Sequence, residues 1–98
     1  MIRHFVLKRI AEDEMAEAIT WYEQQEPGLG ERFSDRIADY FHRIIDHPEQ
    51  FAPTRRGTRR AVVDEFPFSI EYLIEDTQIT VVAVFHASRD PKRLNRRR

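Results

Sequence analysis

The chain has 98 residues, 41% of them apolar and 34% charged, with a formal net charge of −1. That size and mixture fit one soluble globular domain, residues 1–98, with a single small core, and they exclude a disordered or fibrous chain. The absence of cysteine excludes disulfides, thiolate nucleophiles and cysteine–metal sites.

No apolar stretch approaches the roughly 20 residues needed to span a bilayer. The first residues, MIRHFVLKRIAEDE, lack the apolar segment and cleavage site of a secretory signal, so the expected location is cytoplasmic, with no membrane partner. The net charge hides a division. Residues 1–53 carry 6 Lys and Arg against 11 Asp and Glu, a balance of −5, and residues 54–98 carry 10 against 6, a balance of +4. The second half therefore either meets something anionic or is a solvated surface with a frayed basic tail, residues 90–98.

In chain order, residues 3–8 have a short apolar centre with charged flanks and predict an N-terminal edge strand. From Ile10 the period changes to helical. Ala11, Met15, Ala18 and Tyr22 share a stripe, Trp21 sits at its margin, and acidic residues crowd the first turns, where the helix dipole favours them. Trp21 and Tyr22 read as core or helix-packing residues. Pro27, Gly28 and Gly30 break the helix. A second helix follows, roughly Glu31 to Asp46, with Phe33, Ile37, Tyr40, Phe41, Ile44 and Ile45 as its stripe. The short link makes the two an antiparallel hairpin. Residues 49–58 read as a loop in which Arg55 and Arg56 are solvated, and Arg59 to Val63 as a strand.

Residues 66–89 read as two apolar strands meeting at Asp76 and Thr77. The expected register sets Ile74 opposite Ile79, Tyr72 opposite Val81, Ile70 opposite Ala83 and Phe68 opposite Phe85, all on one face. The last strand, Ile79 to Phe85, is apolar on both sides and belongs in the middle of a sheet. The expected fold is α+β: an N-terminal strand, a helical hairpin, then a three-strand antiparallel meander that completes a four-stranded sheet. The other sheet face is expected to show Ser69, Glu71, Leu73, Thr80, Val82, Val84 and His86, a half-apolar surface that suits a partner.

The order of an Arg-Arg strand, Phe66-Pro67-Phe68-x-Ile70-x-Tyr72 and Ile79-x-Val81-x-Ala83-Val84-Phe85-His86-x-x-Arg89-Asp90-Pro91 resembles the RelE/ParE superfamily of toxins from bacterial type II toxin–antitoxin systems. Trp21-Tyr22-Glu23 followed by Pro27-Gly28-Leu29-Gly30-x-x-Phe33 is similar to the helical junction of its ParE-like branch. The resemblance implies a growth-inhibiting, plasmid-stabilising toxin neutralised by a cognate antitoxin, which alone would contact operator DNA. ParE-like members inhibit DNA gyrase and are not known as nucleases. RelE-like members cleave mRNA on the ribosome. A third reading is a non-toxic partner in autoregulation.

Metal-free RNA cleavage needs a base, an acid and cations for the developing charge. His86 with Arg60 or Arg89 is the tentative set. Nuclease members that place a histidine here follow it with tyrosine, where this chain has Ala87, and carry an arginine where it has Ser69. Glu71 on the same face is expected to repel phosphate. His86 otherwise reads as a strand-end histidine bonded to backbone or to Asp90. No catalytic residue is therefore assigned, and the ParE-like reading leads. Arg59, Arg60, Leu73, Val82, His86, Arg89, Lys92 and Arg93 are the expected target- or antitoxin-binding residues, with the antitoxin covering an apolar groove between the helical hairpin and the sheet edge. Arg59 and Arg60 point to opposite faces. His42 and His47, five apart, do not share a helix face, so no metal site is expected, and no cofactor motif is present.

Overall fold

The computed structural model describes residues 3–87. The elements are β1 (His4–Leu7), α1 (Arg9–Gln25), α2 (Leu29–Asp46), β2 (Ala52–Pro53), β3 (Arg59–Val62), β4 (Phe68–Ile74) and β5 (Gln78–His86). One five-stranded sheet has the order β1-β5-β4-β3-β2, with β1 parallel to β5 and the other neighbours antiparallel. The expected α+β architecture is present, with β5 inside the sheet. The fifth strand is β2, which pairs Ala52 and Pro53 with Arg60 and Arg59. Two residues, one of them proline on an edge, leave no periodic trace in a sequence.

The helical hairpin covers one face. Phe33, Ile37 and Ile44 from α2 and Ala11 and Ala18 from α1 meet Ile70, Tyr72, Ile79, Val81 and Val84 in the main core. Tyr22 lies 5.0 Å from the rings of Phe33 and Phe66, and Phe33 lies 4.9 Å from Phe68, so one aromatic cluster joins both helices to the sheet. Trp21 stands outside it at 56% exposed, which corrects its assignment to packing. It is one position off the buried stripe, and its ring meets that of Tyr22 nearly at right angles, with 5.1 Å between the ring centres.

The junction between the helices is built by Glu23. Its carboxylate accepts hydrogen bonds from Gly28 N–H at 3.0 Å and from Gly30 N–H at 3.1 Å, satisfying donors at the start of α2. Gly28, at φ 89°, supplies the left-handed turn between the helices. Glu23→Ala is expected to lower stability by about 1–2 kcal/mol, the usual value of a helix cap. A thermal melt reads this, and a midpoint equal to that of the parent chain would show that water replaces the carboxylate.

The central hairpin departs from the expected register at one point. Ile74 faces Ile79 and Tyr72 faces Val81, but Glu71 then faces Ala83, Ile70 faces Val84, Ser69 faces Phe85 and Phe68 faces His86. A β-bulge at Val82 adds one residue to β5 and reverses the faces of everything beyond it. Val84 joins the main core and His86 lies against Phe68, whereas Ala83 and Phe85 form a second cluster with Val82 and Leu73 on the opposite face. The expected faces of Ala83, Val84, Phe85 and His86 are thus corrected. Because the extra residue lies in β5, Glu71 in β4 keeps its outward position.

Candidate functional site

Between α1 and the paired ends of β4 and β5 lies a groove of about 470 Å³. Tyr22, Phe68 and Val84 give it an apolar floor, and Trp21, Glu17 and His86 stand at its rim. Its wall has a structural cause. β1 pairs with β5 only from Gln78 to Val81, so among the described residues the edge of β5 beyond that point has no strand beside it. Glu14 of α1 fills in there, accepting a hydrogen bond from Val84 N–H at 3.0 Å with its carboxylate buried. The helix is thereby tied to the strand edge at a fixed distance. Burial raises the Tyr22 phenol above its ordinary value, so the floor is uncharged at neutral pH.

The other sheet face is organised by Glu71, only 2% exposed. Arg56 donates to it through Nη2 at 2.6 Å and Nε at 3.2 Å, and Arg60 through Nη2 at 3.0 Å. Burial pushes the Glu71 carboxyl up, and the bonds from Arg56 and Arg60 overcome that and hold it below the usual carboxylate range. The hydrogen bond to Glu71 raises Arg56 in turn, against the opposing effect of burial. Two expectations are corrected here. Arg56 is not a solvated loop residue, because the turn around Gly57 folds it onto the sheet, with Arg56 N–H bonded to Thr54 Oγ1 at 3.1 Å. Glu71 is not a bare carboxylate repelling phosphate, since two guanidinium groups surround it.

The other expected residues are divided by the fold. Arg60 lies on the outer face over the Phe85 ring, 5.3 Å from its centre. Arg59 turns the other way and donates to the carbonyls of Phe51 and Glu49 at 2.7 and 3.1 Å, clamping the segment after α2. Tyr72 helps from the core by donating to the Pro48 carbonyl at 2.5 Å, and burial pushes its phenol up to about 12, with Arg59 pulling slightly the other way. Leu73 is half-buried. Val82 is 2% exposed, so it offers no open surface, in correction of its assignment to a docking face. The bulge is why: Val82, Ala83 and Phe85 crowd together on one face. Arg89, Lys92, Arg93 and the Asp90 contact proposed for His86 lie outside the described residues. Trp21 and Glu14 were missed as site residues. An indole at the margin of a helical stripe signals the former, but nothing in the sequence pairs Glu14 with a strand distant along the chain.

A helical hairpin thus covers one face of a small sheet, with a groove where α1 meets the ends of β4 and β5. The family description "ParE toxin of type II toxin-antitoxin system, parDE" matches residues 5–91, and the chain belongs to that family. A solved structure described as the chromosomal ParDE toxin–antitoxin system from P. aeruginosa is similar in fold, with a TM-score of 0.79 at 14% identity, covering 89% of this chain and 98% of that one. No curated protein sequence matches the chain. No helix among the described residues is long and apolar enough to cross a membrane.

Proposed function

We propose that this ParE-family chain inhibits DNA gyrase or a related target, and that a cognate antitoxin silences it by filling the groove between α1 and β5. The observation that carries the docking half is Trp21, 56% exposed at the rim of an apolar floor. Large aromatic side chains beside a concave apolar surface are the usual anchors of a protein interface. Operator DNA is contacted through the antitoxin alone.

The geometry favours inhibition by binding over ribosome-dependent mRNA cleavage. His86 lies on the helix side of the sheet and Arg60 on the other, so one scissile phosphate does not meet both, while the alternative partner Arg89 lies outside the described residues. Ser69 and Ala87 also stand where nuclease relatives carry arginine and tyrosine.

Purified chain is expected to block gyrase supercoiling, and full supercoiling at saturating protein removes gyrase as the target. Harmless expression of the chain alone would leave only the autoregulatory role. Trp21→Ala is expected to weaken binding of the protein encoded by the neighbouring reading frame by about 2 kcal/mol, roughly 30-fold, at an unchanged melting temperature. Equal affinity in a calorimetric titration would place the antitoxin elsewhere.

A further inference from the structure

On the sheet face turned away from the groove, a concavity of about 420 Å³ lies between β2 and β3, lined by Pro53, Thr54, Arg55, Arg56, Arg60 and Val62 among others. Among the described residues that line it, none is acidic. Glu71 beneath is 2% exposed and shared by Arg56 and Arg60, and with Arg55 beside them three arginines are balanced by this one enclosed carboxylate, so the site carries a surplus of positive charge. That carboxylate also fixes two of the three side chains, which reduces the ordering cost of binding an anion. Arg60 gives Glu71 its Nη2, and its side chain as a whole keeps 36% exposure, so the guanidinium is still reachable from the concavity. Arg55 is exposed beside them. Pro53 is exposed and Val62 is 69% exposed, giving apolar flanks next to the charge.

The geometry points to a binding site for the phosphate group of a nucleotide, free or within a strand, at Arg55, Arg56 and Arg60. Planar guanidinium forks match phosphate oxygens, and the flanking Val62 and Pro53 suit the sugar or base attached to them. A concavity of this size accepts a mononucleotide or one unit of a single strand. A rigid duplex presents its phosphates with the bases stacked away from such flanks. The site binds without cleaving, since the carboxylate beside the arginines, Glu71, is 2% exposed and already held by Arg56 and Arg60. It lies on the opposite side of the sheet from the groove, and it holds whether or not the groove takes an antitoxin.

The test is fluorescence anisotropy on the full chain, with ATP and with labelled single-stranded DNA, single-stranded RNA and duplex of roughly 16 nucleotides. Binding of ATP or of a single strand is expected, with Arg55→Glu weakening it about tenfold and making the salt dependence of strand binding shallower. Arg55 makes no side-chain hydrogen bond or ion pair among the described residues, so this variant keeps the site testable if Arg60→Lys unfolds. The Arg60→Lys variant retains the charge but loses the fork, and it is expected to bind several-fold more weakly. A response to ATP alone or to strands alone identifies the source of the phosphate. Wild-type affinity in Arg55→Glu, with loss confined to an Arg96→Gln/Arg97→Gln/Arg98→Gln variant, would assign binding to the basic tail and overturn the site. Preference for duplex, or equal competition by polyglutamate, would overturn the nucleotide class.

Discussion

Gly30→Ala is expected to lower the thermal midpoint by roughly 10–20 °C, the equivalent of about 2–3 kcal/mol for a domain of this size. A Cβ at position 30 would sit 2.6 Å from the carbonyl oxygen of Ile19 and 3.0 Å from Glu23 Cβ. The first of these atoms belongs to the backbone of α1 and has no rotamer by which to move away. The helices must separate instead, and separation also strains the Glu23 bonds to Gly28 and Gly30 and the Tyr22–Phe33 ring contact. Gly28 provides the comparison. Nothing lies within 4 Å of its Cβ direction, but its φ is 89°, so Gly28→Ala meets only the backbone penalty of about 1–2 kcal/mol. Matched melts of the two variants decide the matter. If Gly30→Ala melts within a few degrees of the parent, or above Gly28→Ala, close helix approach is not what position 30 provides.

The second large effect concerns Glu71. Replacing Arg56 and Arg60 together by methionine keeps much of their apolar length and removes both cations from a carboxylate that is 2% exposed. The expected loss is about 3 kcal/mol, at the low end for a broken buried pair, because Arg60 retains 36% exposure and is partly screened. The pH dependence has a definite sign. In the parent chain Glu71 is held below its ordinary value of 4.5, so its contribution is present above that value and is lost as pH falls through the folded-state pKa. In the double variant only burial acts, the carboxyl is raised, and protonation relieves it. The stability gap between variant and parent should therefore narrow on acidification through the carboxylate range. Urea midpoints measured across that range would show it, and a gap that stays constant would mean that Glu71 carries no buried charge.

Much of this architecture can be read along the chain because its signals are local. The stripe of Phe33, Ile37, Tyr40 and Ile44, the break at Pro27 and Gly28, and the turn at Asp76 and Thr77 each specify an element from neighbouring residues. Ile79 to Phe85 was legible as an interior strand for the same reason. That very apolarity concealed the bulge, since a run from Val81 to Phe85 with no polar residue tolerates either assignment of faces. Arg56 and Glu14 were illegible for a different reason. Their partners, Glu71 and Val84 N–H, are 15 and 70 residues away, and only the folded sheet brings them within bonding distance. The groove followed from the expected layering, but its anchor did not, because an indole next to a buried stripe has the same spacing whether it faces in or out.

Both outer surfaces of this toxin-family chain owe their character to a count of residues within one strand. With one residue fewer between Val81 and Ala83, His86 would leave the cleft wall and Phe85 would abandon the guanidinium resting on it, although the hydrophobic profile would scarcely change. Strand length, more than side-chain identity, decides which side of the sheet each residue after Val81 faces, so an in-frame deletion there would exchange Phe85 and His86 between the two surfaces in a single step.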